Sequence, residues 1–199
     1  MVDGGYFMGI PVEEFFRVDH KKAIVIGCGN YDQLREEEGY EGFQDIEESL
    51  MDVKVVRAGL RRLGFKKRDI VVLKDPDYVD VKLAMNDLMN FVLRAYKHEE
   101  KNTLIFCYYA GHGIMDNNTK IVLNGPKMYP LEKILRGMAT SQGSYVVALF
   151  DCCREKFEAA ATRGTGQNND DDENDMDAEE LYRHQPEDSN ENFIITYGC

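Results

Sequence analysis

Four short apolar runs, at residues 22–27, 69–73, 103–109 and 145–150, recur along this chain with room for a helix between each pair. Between the first two, Ile46, Leu50, Val53, Val56, Leu60 and Leu63 follow one another in threes and fours, and Gly64 then supplies a left-handed stop. Between the second and third, Val81, Met85, Leu88, Val92 and Ala95 fall on one helical face. A third helix is expected at 130–138, with Pro130 near its first turn. Such alternation calls for an α/β fold: a mainly parallel sheet sandwiched by helices on both faces. With 199 residues, 43% of them hydrophobic, the chain can bury one core.

The stretches between these elements read differently. Residues 1–20 form a Gly-rich, partly apolar arm, and 28–44, with Glu36, Glu37 and Glu38 in a row, reads as a long polar loop. Gly27 and Gly29 lack the third glycine of a dinucleotide fingerprint, so cofactor binding is discounted there. Residues 120–124 suggest a short hairpin arm. Of the net charge of −12, residues 164–192 hold nearly all: 11 acidic residues against one arginine. Having almost no apolar side chains, that segment cannot offset its ordering entropy and reads as a disordered acidic linker. The main folded core is then 21–163, and residues 193–199 start a further region whose strand at 193–196 is expected to be an exposed edge.

The rest of the chain is nearly neutral, which excludes a nucleic-acid partner, and no apolar run approaches the roughly 18 residues a membrane helix needs. Five cysteines, two of them adjacent, and no signal-peptide pattern in 1–20 point to reduced thiols in the cytoplasm or nucleus.

Two of the strands end in chemistry. The run 103–109 leads into Gly111-His112-Gly113, and the run 145–150 into Asp151-Cys152-Cys153-Arg154. A histidine and a cysteine at the carboxyl ends of sheet strands suit a Cys-His hydrolase, because an imidazole can hold a thiol as the nucleophilic thiolate. Side chains alternate along a strand, so Asp151 and Cys153 face one way and Cys152 the other. Cys153 is therefore the candidate nucleophile, Asp151 a carboxylate beside the substrate, and Cys152 a small buried hydrophobe. The glycines allow close backbone approach, and the amides of Gly113 and Cys153 can face an oxyanion. Cys28 and Cys107 read as core. A zinc site from Cys152, Cys153 and His112 fits poorly, since adjacent cysteines chelate badly. No register in 170–177 has the glycine and terminal glutamate of a calcium loop, so no metal or cofactor is expected and calcium activation has no recognisable site.

These motifs resemble the caspase-like cysteine peptidases, and Asp151 before the cysteine pair is similar to their metacaspase and paracaspase branches, closest to paracaspases. The resemblance spans residues 22–157 and resumes at Phe193. It implies an endopeptidase with His112 and Cys153 as its dyad. It also implies that Asp52, heading the first helix, and Asp151 form the acidic base of the pocket for the residue before the cut, with Asp45 as the rival to Asp52. Substrates would be proteins or peptides cut after Arg, or Lys, with self-processing at Arg163 or Arg183 beside the linker. In the family a small subunit continues past the fifth strand, carrying a third pocket acid and a groove wall. A partner chain or second copy is expected to complete the sheet, and the alternative function is a non-catalytic scaffold or regulatory subunit.

Overall fold

The computed structural model describes residues 6–7, 10–11, 18–38, 42–99, 101–116, 118–152, 154–155 and 192–198. A two-residue antiparallel pair, β1 (Tyr6–Phe7) with β2 (Ile10–Pro11), precedes the main body. Then follow β3 (His20–Gly27), α1 (Asp32–Glu38), α2 (Glu47–Arg62), β4 (Ile70–Lys74), α3 (Tyr78–Glu99), β5 (Thr103–Ala110), β6 (Gly113–Asp116) and β7 (Asn118–Ile121). The chain continues through α4 (Leu131–Thr140), β8 (Ser144–Asp151), β9 (Arg154–Glu155) and β10 (Phe193–Gly198). Five strands make one parallel sheet in the order β10-β8-β5-β3-β4, and β7-β6-β9 form a second, three-stranded sheet.

The alternation of side chains along each strand splits the core into two layers. Ile24, Ile26, Ile105, Cys107, Tyr109, Val146, Ala148 and Phe150 face α3 and α4, meeting Val81, Met85, Val92, Ile134, Leu135 and Met138. Ala23, Val25, Leu104, Tyr108 and Ala110 face the other way, onto Val53 and Leu60 of α2. The helices therefore lie on both faces, as the alternation of elements requires. At Gly27, α2 packs closely on the sheet: a Cβ there would sit 2.5 Å from Val53 Cγ2 and 2.9 Å from the Ser49 carbonyl.

Several boundaries differ from the sequence reading. Strand β3 starts at His20, inside the expected arm, and Asp69 closes a 3₁₀ turn (Lys67–Asp69) before β4, with its carboxylate 2.7 Å from Lys22 Nζ. The expected loop 28–44 contains α1. Its Gln, Arg and Glu residues tolerate a helix well, but two turns with one apolar residue, the buried Leu34, give no periodic signal. The hairpin is built from β6 and β7, so it starts at Gly113; residues 122–123, expected in the arm, are buried beyond it. Asp52 lies in the second turn of α2 and does not head it. Strand β10 pairs with β8 and lies at the edge of the sheet. The expected linker 164–192 lies, apart from Asn192, outside the described residues.

Gly27→Ala is expected to destabilise the protein by about 1–3 kcal/mol, since α2 must shift to admit a methyl group. A urea-denaturation midpoint equal to that of the parent would show that this contact is not tight.

Candidate functional site

His112 follows the end of β5 after one residue, Gly111, and its backbone is held on both sides. Its N–H donates to the Tyr31 hydroxyl at 2.9 Å, and its carbonyl accepts from the Tyr109 hydroxyl at 2.6 Å and from the Val122 N–H at 3.0 Å. The Tyr31 hydroxyl in turn donates to the Cys28 carbonyl at 3.1 Å. Burial pushes both phenols well above their ordinary pKa, so they remain donors throughout the working pH range. Gly111 makes this arrangement fit. It sits at φ +151°, and a Cβ on it would lie 2.5 Å from the Tyr109 hydroxyl and 2.6 Å from that of Tyr31.

The half-buried ring of His112 is placed as tightly as its backbone. It packs against Tyr31 and Phe43, with ring centroids 4.8 and 5.2 Å away, and its Nε2 lies 2.8 Å from the Gln44 carbonyl. A carbonyl oxygen can only accept, so Nε2 carries the proton. The neutral imidazole therefore presents Nδ1 as its proton acceptor.

Asp52 and Asp151 converge on one cavity of about 150 Å³, lined also by Ile46, Ser49, Ala110, Gly111 and Cys152. Asp151 closes β8, where its backbone pairs with Ala110 of β5 and Gly198 of β10. A Cβ on Gly198 would stand 3.0 Å from Asp151 Oδ1, so the glycine leaves that carboxylate room. The Tyr108 hydroxyl donates to Asp151 Oδ2 at 3.2 Å. Burial first, then the charges of Asp151 and Asp52, raise the Tyr108 pKa. One phenol thus senses both carboxylates.

The rival carboxylate, Asp45, is engaged elsewhere. It accepts from the Tyr31 N–H at 2.9 Å and pairs with Arg35 at 3.0 Å, and Arg35 followed by the Tyr31 amide holds its carboxyl below the usual range. Cys153 lies outside the described residues. Its neighbour Cys152 is buried in the core with Phe150, as the alternation expects, while lining the cavity on one side. Cys28 and Cys107 are core, and burial raises both thiols, Cys28 to about 12. Gly113 opens β6 and pairs in parallel register with Arg154 of β9.

Tyr31, Phe43, the Gln44 carbonyl, Tyr108 and Arg35 escape sequence reasoning. A backbone acceptor has no side-chain signature, and Tyr31 meets His112 across 81 residues of chain. Two larger cavities, of about 550 and 570 Å³, open around Lys22, Asp69 and Phe91 at the start of β3 and β4, and hold none of these groups. Among the described residues there is no cluster of three metal-ligating side chains, and no helix is long and apolar enough to cross a membrane.

A parallel sheet with a poised histidine and an acidic cavity at the carboxyl ends of its strands is the layout of α/β proteins that do chemistry at that end. The family model of the caspase domain matches residues 20–199, and the chain belongs to this family of cysteine peptidases. Among curated proteins, none matches it.

Brief alkylation of the native protein at pH 8 is expected to spare Cys28, Cys107 and Cys152, which burial withholds from reagent, and to modify all three after unfolding. Peptide mapping by mass spectrometry reads this out. Native labelling of Cys152 at the rate of an exposed thiol would contradict its placement.

Proposed function

We propose that the protein is an endopeptidase of the metacaspase and paracaspase branch that cleaves after arginine, with His112 and Cys153 as its dyad. The observation that carries this reading is the hydrogen bond from His112 to the Gln44 carbonyl, which leaves Nδ1 as the base. The parallel pairing of Gly113 with Arg154, the residues next after His112 and Cys153, supports the partnership. Adjacent strands lie about 4.8 Å apart, a separation that two side chains span.

In the proposed reaction Nδ1 takes the Cys153 thiol proton, and the thiolate attacks the carbonyl carbon of the scissile bond. The Gly113 and Cys153 amides stabilise the oxyanion. Collapse breaks the C–N bond, the leaving amine takes the proton from the imidazolium, and a thioester remains. Water, giving a proton to Nδ1, then attacks the thioester and releases the acid and the thiolate. The cavity with Asp52 and Asp151, the latter held by the Tyr108 hydroxyl, supports arginine as the residue before the cut. A guanidinium offers a planar fork to paired carboxylates, whereas an aspartate would meet like charges. Substrates are then proteins or peptides with exposed basic residues, and Arg163 and Arg183 are candidate self-processing sites.

Matched fluorogenic peptides ending in Arg, Lys and Asp test the proposal. The Arg peptide should be cut fastest, Asp151→Ala should lower its kcat/KM about 10- to 100-fold, and Cys153→Ala should abolish turnover. Preference for the Asp peptide, or an Arg preference untouched by Asp151→Ala, would sink the specificity. Turnover surviving Cys153→Ala would sink the dyad.

A further inference from the structure

The Gln44 carbonyl that sets the tautomer of His112 belongs to a stretch between two helices, and one guanidinium holds both of its chain neighbours. Arg35 Nη1 donates to the Phe43 carbonyl at 2.7 Å and to Asp45 Oδ1 at 3.0 Å. Arg35 Nη2 donates to Asp45 Oδ2 at 3.2 Å and to the carboxylate of Asp32. Asp45 Oδ1 accepts a further bond from the Tyr31 N–H, and Tyr31 is the residue whose hydroxyl receives the His112 amide. Gln44 thus sits between two residues tied to the same planar group, with the Phe43 ring against the imidazole.

We propose that Arg35 is a positioning residue for His112: by clamping Phe43 and Asp45 it aims the Gln44 carbonyl that keeps the imidazole proton on Nε2. The proposal rests on the reading of His112 as the base of a Cys-His dyad. Part-exposed ion pairs contribute little to stability, so an effect on orientation, with the fold kept, is what distinguishes this role. With the carbonyl loose, the imidazole can place its proton on Nδ1, and that tautomer cannot take a proton from a thiol. Lysine offers a point charge and cannot hold a carboxylate fork and a carbonyl from one plane. Arg35 lies outside the cavity that contains Asp52 and Asp151, so substrate binding should be spared.

The test compares the full chain with Arg35→Ala and Arg35→Lys. Ring ¹⁵N shifts of His112, assigned with His112→Gln, should show the Nε2–H tautomer in the parent at neutral pH and a mixture of tautomers in both variants. On an arginyl peptide, kcat should fall about 10- to 100-fold in Arg35→Ala, with KM within about twofold and the thermal midpoint nearly kept. Adding Asp45→Asn should cause little further loss, since both changes release the same carbonyl. Parent-like ring shifts in Arg35→Ala, or a loss confined to KM or to stability, would overturn the proposal. Failure of the underlying dyad appears separately, as turnover that survives His112→Ala with Arg35 intact, and the ring shifts decide the role of Arg35 in either case.

Discussion

The register between β5 and β8 is the constraint on which the site depends. The two strands run parallel from Thr103 opposite Ser144 to Ala110 opposite Asp151, and the Gly111 N–H continues the ladder to the Asp151 carbonyl at 3.3 Å. Both lie inside the sheet, and β5 is buried on its two faces. A slip of one residue would turn every core side chain to the wrong layer. The same register sends the segment after each strand out at one end of the sheet, side by side. The Gly113–Arg154 pair then links those segments a second time, in the smaller sheet.

From this follows the division of labour around the carboxyl ends of the strands. The α2 helix brings Asp52 to the cavity that Asp151 also lines, giving an acidic cavity at the strand ends. The segment after β3 wraps the other side, with Cys28 N–H bonded to the Ala110 carbonyl and Ile46 N–H to the Gly29 carbonyl. That wrap brings Tyr31, Phe43 and Gln44 onto His112. Asp75, at φ +45°, supports it from below by accepting the Gly29 and Asn30 amides at 2.6 and 2.9 Å. On the proposed reading, specificity rests on the carboxylates of the cavity and proton handling on the contacts of His112.

Much of this is legible in the amino-acid order, for physical reasons. Strands buried on both faces and helices with one apolar face leave strong periodicities, so the sheet, α2, α3 and α4 emerge from pattern alone. His112 between glycines and Asp151 beside a cysteine pair stand out because such residues at strand ends are poor packing material. The α1 helix does not stand out, because six polar residues around a single leucine carry no period. Nor does the choice between Asp45 and Asp52, since both are carboxylates near one helix start. Arg35, which belongs to no motif, pairs with Asp45, whereas Asp52 lines the cavity beside Asp151. The orienting partner of His112 is a main-chain carbonyl, and any residue type could have supplied it.

The central claim is that a poised imidazole and an acidic cavity serve one thiol. A peptidyl-arginine chloromethyl ketone, followed by peptide mapping, tests it most directly. The account predicts a single adduct on Cys153, lost in His112→Ala at equal times and absent with the matched aspartyl reagent. An adduct on Cys152, or equal labelling by both reagents, would contradict it.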